Sequence, residues 1–268
     1  MDEAFKQVTD SLGELLDSFY PAAIVGNTVV GLTVYIVYFI LAMYAMLRVI
    51  SLYEKKMEGT LVPHGVFANI VDACMQFVAN DLCRGVLGET WTKHLPFLGT
   101  VFFVVLFGNY IGMLPTWKPG TGSTGITGAV AFASFVYFIG VGVKKKGAWG
   151  YIKSLAPKDV MAPIALLVWV IEVFSTFLRL ITLAVRLFCN MFAGHLVMGV
   201  FALMCSAFVN PMLQQFTLAN LGTGAMSVLW MLMLLIIYAV ELIVCFVQAY
   251  VFALLTAVYV KLAESDEE

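Results

Sequence analysis

Residues 183–197 read LAVRLFCNMFAGHLV, an apolar run that holds Arg186 and, nine positions on, His195. A guanidinium keeps its charge at every accessible pH. Placing one at the centre of a bilayer helix costs roughly 2.5 to 3.5 kcal/mol on insertion scales, so something must offset that cost. The run belongs to an apolar segment covering residues 160–209; a second covers 225–262, and NPMLQQFTLANLGTG (210–224) separates them. As continuous helices the two would be roughly 75 Å and roughly 57 Å long, against a hydrocarbon core of roughly 30 Å. Neither fits a perpendicular span, so the pattern predicts a long, steeply tilted hairpin.

Working outward, apolar stretches at 22–50, 94–114 and 128–143 are each read as a crossing, which makes five with the hairpin. Segment 64–88 mixes Val66, Phe67, Ile70 and Val71 with Asn69, Asp72, Gln76, Asp81 and Arg84, the pattern of an interfacial amphipathic helix. Residues 1–20 carry Phe5, Val8, Leu12, Leu15 and Phe19 at helical spacing and read as an N-terminal surface helix. Their acidic balance has the wrong sign for a signal peptide, so the segment is expected to be retained. With 62% hydrophobic and 12% charged residues, the 268-residue chain reads as an all-α integral membrane protein, a single membrane domain over 1–268.

Basic residues set the expected orientation. With the N-terminus outside, the cytoplasmic connections collect Arg48, Lys55, Lys56, Arg84, Lys93, Lys144, Lys145, Lys146, Lys153, Lys158 and Lys261, while the outside keeps Lys6 and Lys118. The C-terminus is then cytoplasmic. The five cysteines and three histidines form no CxxC, HExxH or other ligand spacing, so no metal or disulfide framework is expected. No GxxxxGK[ST] loop is present either, so the chain is expected to hydrolyse nothing by itself and to carry no cofactor.

The ionisable residues inside the hairpin are Glu172, Arg179, Arg186 and His195 on its first arm and Glu241 on its second. Glu172, Arg179 and Arg186 are spaced by seven, which returns to within about 20° of one helix face. Glu172 can neutralise Arg179 along that stripe, whereas Arg186 has no acid within one turn. Antiparallel arms folded about residue 217 set Arg186 opposite Gln248 and His195 opposite Glu241. Gln248 can hydrogen-bond a guanidinium but cannot cancel its charge. Arg186 is therefore expected to face a carboxylate supplied by another protein in the membrane plane. His195 and Glu241 form an acid/base pair able to pass protons or, read structurally, a polar clamp between helices.

These residues resemble the a subunit of F-type ATP synthases, the stator element beside the rotating c-ring. The resemblance is carried by LAVRLFCNMFAGH, by ELIVCFVQAYVFALLTAVYV (241–260) and by GNYIGMLP (108–115), with departures at Cys189 and Arg179. It implies that Arg186 is the essential arginine, with Asn190 and Gln248 near it. It implies an outer proton half-channel past His195, Glu241 and Asn109, and an inner one past Glu172. It further implies a bacterial inner-membrane location, proton transport, the c-ring, b-type peripheral stalk subunits and the lipid membrane as partners, and no nucleic acid. The alternative is a self-contained secondary transporter that binds an anionic solute at Arg186. Such carriers typically show internal repeats and helices broken at midplane, and no repeat relates the two halves of this chain.

Overall fold

A computed structural model describes residues 11–13, 23–25, 32–57, 65–114, 117, 119–154, 162–214 and 218–265. Residues 11–13 are helical; the rest of the expected surface helix over 1–20 lies outside the described residues. A short antiparallel pair, β1 (Ala23–Val25) and β2 (Leu32–Thr33), precedes the first long helix, α1 (Val34–Met57). The expected crossing at 22–50 thus starts as helix at Val34. The β-branched Ile24 and Val25 favour extended backbone ahead of it.

Helix α2 (Val66–Phe77) runs on through a π-helical turn (Val78–Arg84), a single α-turn (Gly85–Leu87) and a 3-10 turn (Gly88–Thr90) into α3 (Trp91–Gly112). Phe77 meets Phe102 across this bend at 6.5 Å between rings, so the segment up to Leu87 lies antiparallel to α3. The segment is amphipathic, as its sequence predicts: Val66, Phe67, Ile70 and Met75 are exposed in its first half, whereas the apolar residues of its second half pack on protein. Val78, Leu82, Cys83 and Leu87 enter the main core, while Asn80, Asp81 and Arg84 stay exposed. Phe77 also packs on Phe246 and Tyr250 of the last helix, so the C-terminal half of the interfacial segment expected over 64–88 is joined to the bundle.

Helix α4 (Thr124–Lys146) is followed by the short α5 (Ala148–Ser154), then α6 (Ala162–Gln214) and α7 (Leu218–Glu264). At 53 and 47 residues, α6 and α7 are roughly 80 Å and roughly 70 Å long. Both exceed their expected lengths because most of NPMLQQFTLANLGTG is helical. Pro211 lies in the last turn of α6, so the one ladder bond it removes is near the helix end, and Leu, Met, Gln and Ala around it are good helix formers. Trp169 Nε1 donates to the Ile152 carbonyl at 3.0 Å and so fastens α5 to α6. Among the described residues five helical segments are long and apolar enough to cross a membrane. Their shared core includes Phe102, Phe138, Phe252, Leu98, Leu183 and Leu187. The protein is an all-α membrane bundle closed by a long hairpin.

The loop after α3 folds back onto it. A Cβ at Gly112 would overlap Pro119, and Thr121 Oγ1 donates to Asn109 Oδ1 at 2.7 Å. Substituting Gly112→Ala therefore forces the 119–122 turn off α3. The expected cost is about 1–3 kcal/mol, the usual range for overpacking; a lowered thermal transition of the purified protein checks it.

Candidate functional site

The first arm of the hairpin has two contrasting faces. Leu183, Leu187 and Met191 are fully buried, while Leu178, Ile181, Thr182, Val185, Arg186, Cys189 and Ala193 are exposed. These positions recur every three or four residues, so they form one outward stripe that is apolar apart from Thr182 and Arg186. Arg186 makes no hydrogen bond or ion pair with any described residue. A permanent cation thus stands on an exposed, hydrocarbon-like face without a counter-charge among the described residues. Asn190, one turn on, is half-buried.

Arg179 differs. Its Nη2 donates to Glu172 Oε1 at 2.7 Å and its guanidinium lies over the Tyr259 ring at 5.3 Å, so both its charge and its flat face are engaged. Glu172 is the acid that neutralises it, as the seven-residue spacing predicts. Tyr151 of α5 stands close to both. Burial lifts its phenol above the ordinary range, with the Arg179 charge acting in the opposite sense and Glu172 in the same one.

On α7 the buried stripe is Glu241, Cys245, Gln248, Ala249 and Phe252. The hairpin register follows from cross-arm contacts. Cys205 Sγ contacts the Ser227 carbonyl at 3.8 Å, a pair whose midpoint is 216, and the Glu241 carboxyl seats on Gly194, midpoint 217.5. The axis expected at 217 lies between these values. Arg186 and Gln248 share that register, yet they are not bonded: Gln248 is 7% exposed and points inward, and its Nε2 is buried without a partner.

The same register sets His195 and Glu241 at one level of the hairpin, without a hydrogen bond between them. His195 Nε2 and Glu241 Oε1 are both buried and unpaired. Gly194 gives the acid its place. A Cβ at that position would overlap the Glu241 carboxyl, so the acid occupies the space a side chain would fill. Sequence reasoning passed over this glycine, although it neighbours His195 and faces Glu241 in the same antiparallel count. Asn109 is fully buried and is held at both ends, accepting from Thr121 and donating to the Cys245 carbonyl at 3.5 Å, one turn from Glu241.

His195 also borders a cleft of about 680 Å³ with Met113, Trp117, Met198, Leu235 and Tyr238. Tyr238 Oη donates to the Met113 carbonyl at 3.0 Å, which closes α7 over the end of α3. The chemistry available is proton exchange at His195 and Glu241 and fixed positive charge at Arg186. Among the described residues no cluster of three or more His, Cys, Asp or Glu is placed to hold a metal.

These features define an integral membrane protein that exposes Arg186 without an ion partner among the described residues and buries His195 Nε2 and Glu241 within its hairpin. Comparison with known proteins gives the family. The pattern of the ATP synthase A chain family matches residues 36–261. ATP synthase subunit a of Hyphomonas neptunium is 36% identical over 206 residues, 75% of this chain and 76% of that protein. The Bartonella bacilliformis subunit a is 36% identical over 222 residues, covering 83% of each chain. The Nocardioides subunit a is 36% identical over 194 residues, 71% of this chain and 68% of that one. The chain belongs to this family, the a subunits of F-type ATP synthases, which are non-catalytic, ion-conducting members of the membrane sector.

Proposed function

We propose that the chain is the stator element that passes protons to and from a rotating c-ring through two offset half-channels, with Arg186 between them. The observation that carries this reading is the placement of Arg186 on an exposed apolar stripe with no ion pair among the described residues. A rotor carboxylate passing that stripe supplies the missing counter-charge. The arginine favours its ionised form and so drives proton release. Because a guanidinium does not give up its proton, it cannot relay one across and blocks the short circuit.

In the outer half-channel, protons reach His195 and Glu241 by way of the cleft beside Tyr238. The unpaired Nε2 and Oε1 are the groups that exchange them, since buried polar atoms without partners are rare and require an explanation. Asn109 fixes α3 against α7 beside that path. In the inner half-channel, Glu172 takes protons released from the rotor, with Arg179 and Tyr151 around it. Asn190 and Gln248 flank the arginine between the two paths. The whole chain acts as one membrane unit with its N-terminus outside and its C-terminus in the cytoplasm, held by b-type stalk subunits in a bacterial inner membrane.

The test is the assembled synthase in sealed vesicles. ATP should drive acidification of the vesicle lumen that a protonophore collapses and a sodium gradient leaves unchanged. Sodium-dependent pumping overturns the choice of ion. Uptake of an anionic solute by the chain alone, with no c-ring co-purifying, overturns the stator reading in favour of a carrier.

A further inference from the structure

A second polar cluster lies at the end of the bundle that bears Lys144–Lys146, away from the residues assigned above. His94, on the first turn of α3, is 5% exposed and bonded through both ring nitrogens. Nδ1 lies 2.9 Å from Tyr137 Oη on α4, and Nε2 lies 3.1 Å from Glu264 Oε1 at the last residue of α7. Thr90 Oγ1 donates to the other carboxyl oxygen at 3.1 Å. Lys145 Nζ donates to the Glu264 carbonyl at 2.5 Å and Lys146 Nζ to the Ser265 carbonyl at 2.7 Å. Two cations on the last carbonyls of a helix also oppose its negative dipole end.

One bonding pattern satisfies every member. The Tyr137 O–H donates to Nδ1, Nε2–H donates to Glu264, and the carboxylate accepts from His94 and Thr90. Phe97 stacks on the Tyr137 ring at 3.6 Å and fixes the phenol from its other side. Three elements are thereby joined at one imidazole: α3, α4 and the end of α7. Helix α7 is unbroken from Leu218 to Glu264, so the position of its end along its own axis also sets the positions of Glu241 and Gln248. A shift of one residue, about 1.5 Å of rise, would carry the Glu241 carboxyl off Gly194.

We propose that His94 is a positioning residue: with Tyr137 and Glu264 it anchors α7 along its axis and so holds Glu241 and Gln248 in register with α6. The pumping arm of the test rests on the proton-stator reading; the labelling arm does not. In the assembled synthase, His94→Phe keeps a ring but removes both hydrogen bonds, whereas His94→Gln can still donate to Glu264 and accept from Tyr137. His94→Phe should lower ATP-driven acidification about fivefold, the scale of losing buried hydrogen bonds. It should also speed maleimide labelling of the native, fully buried Cys245, read peptide by peptide in a mass spectrometer. His94→Gln should restore both. A His94→Phe enzyme that matches wild type in both readouts, or a His94→Gln enzyme no better than His94→Phe, overturns the anchor. If His94→Phe fails to assemble, Tyr137→Phe removes a single hydroxyl: faster Cys245 labelling supports the anchor and an unchanged rate overturns it. Absence of proton pumping in the wild-type enzyme, with the labelling differences intact, would count against the stator reading alone.

Discussion

Vesicles carrying the synthase with Arg186→Ala should neither make ATP from a proton gradient nor hold that gradient. The proposed mechanism sets the guanidinium between two proton paths, and Arg186 has no ion pair among the described residues. Its loss removes the barrier that forces each proton to travel with the rotor. Each proton falling through 100 mV carries about 2.3 kcal/mol, a factor of about fifty, and a direct leak dissipates it. Coupled synthesis should therefore drop about fiftyfold or more while passive proton permeability of the membranes rises. Arg186→Lys should fail as well, because an ammonium on a desolvated face can lose its proton where a guanidinium cannot. Normal ATP synthesis in Arg186→Ala membranes sinks the assignment.

Gly194→Ala should separate the outer path from that barrier. The new methyl occupies the place of the Glu241 carboxyl, which must swing away from His195 or push the two arms of the hairpin apart. Proton entry from the outer side should slow about a hundredfold, the low end of what a positioned acid/base group contributes. Arg186 is untouched, so the membranes should stay proton-tight. Glu241→Gln provides the companion result: it preserves the shape of the carboxyl and removes its proton exchange, and should slow transport to a similar extent without loosening the hairpin. A Gly194→Ala enzyme with wild-type rates would show that the position of Glu241 does not limit proton entry.

Much of the architecture could be read from composition and period alone. The apolar run at 128–143 sits inside α4, that at 94–114 overruns the end of α3 by two residues, and the two over-long segments became α6 and α7. Hydrocarbon length and helical rise are constants, so a run too long to cross upright must tilt. The ends were less legible. Local turn chemistry in NPMLQQFTLANLGTG reads as a loop, yet neighbouring helix formers extend both arms into it, because tertiary packing overrides single-residue propensity. Segment 64–88 announced an apolar face without saying what would cover it; α3 and α7 cover its second half, while Val66, Ile70 and Met75 stay exposed.

The candidate site divides in the same way. Seven-residue spacing foretells the Glu172–Arg179 bond, and an antiparallel count foretells which residues share a level. Neither predicts side-chain direction: Gln248 turns inward while Arg186 turns out, and Asn109 spends its amide on Thr121 and Cys245. The amino-acid sequence by itself determined that this protein lives in a membrane, that its last two helices are a tilted hairpin, and that one arginine lacks a nearby acid. Only the tertiary structure decided that this arginine faces outward, that Gly194 makes room for Glu241, and that His94 ties the end of α7 to two other helices. Periodicity along one chain reports faces and heights. Rotation about each helix axis and contacts between distant residues arise only when all the helices pack together.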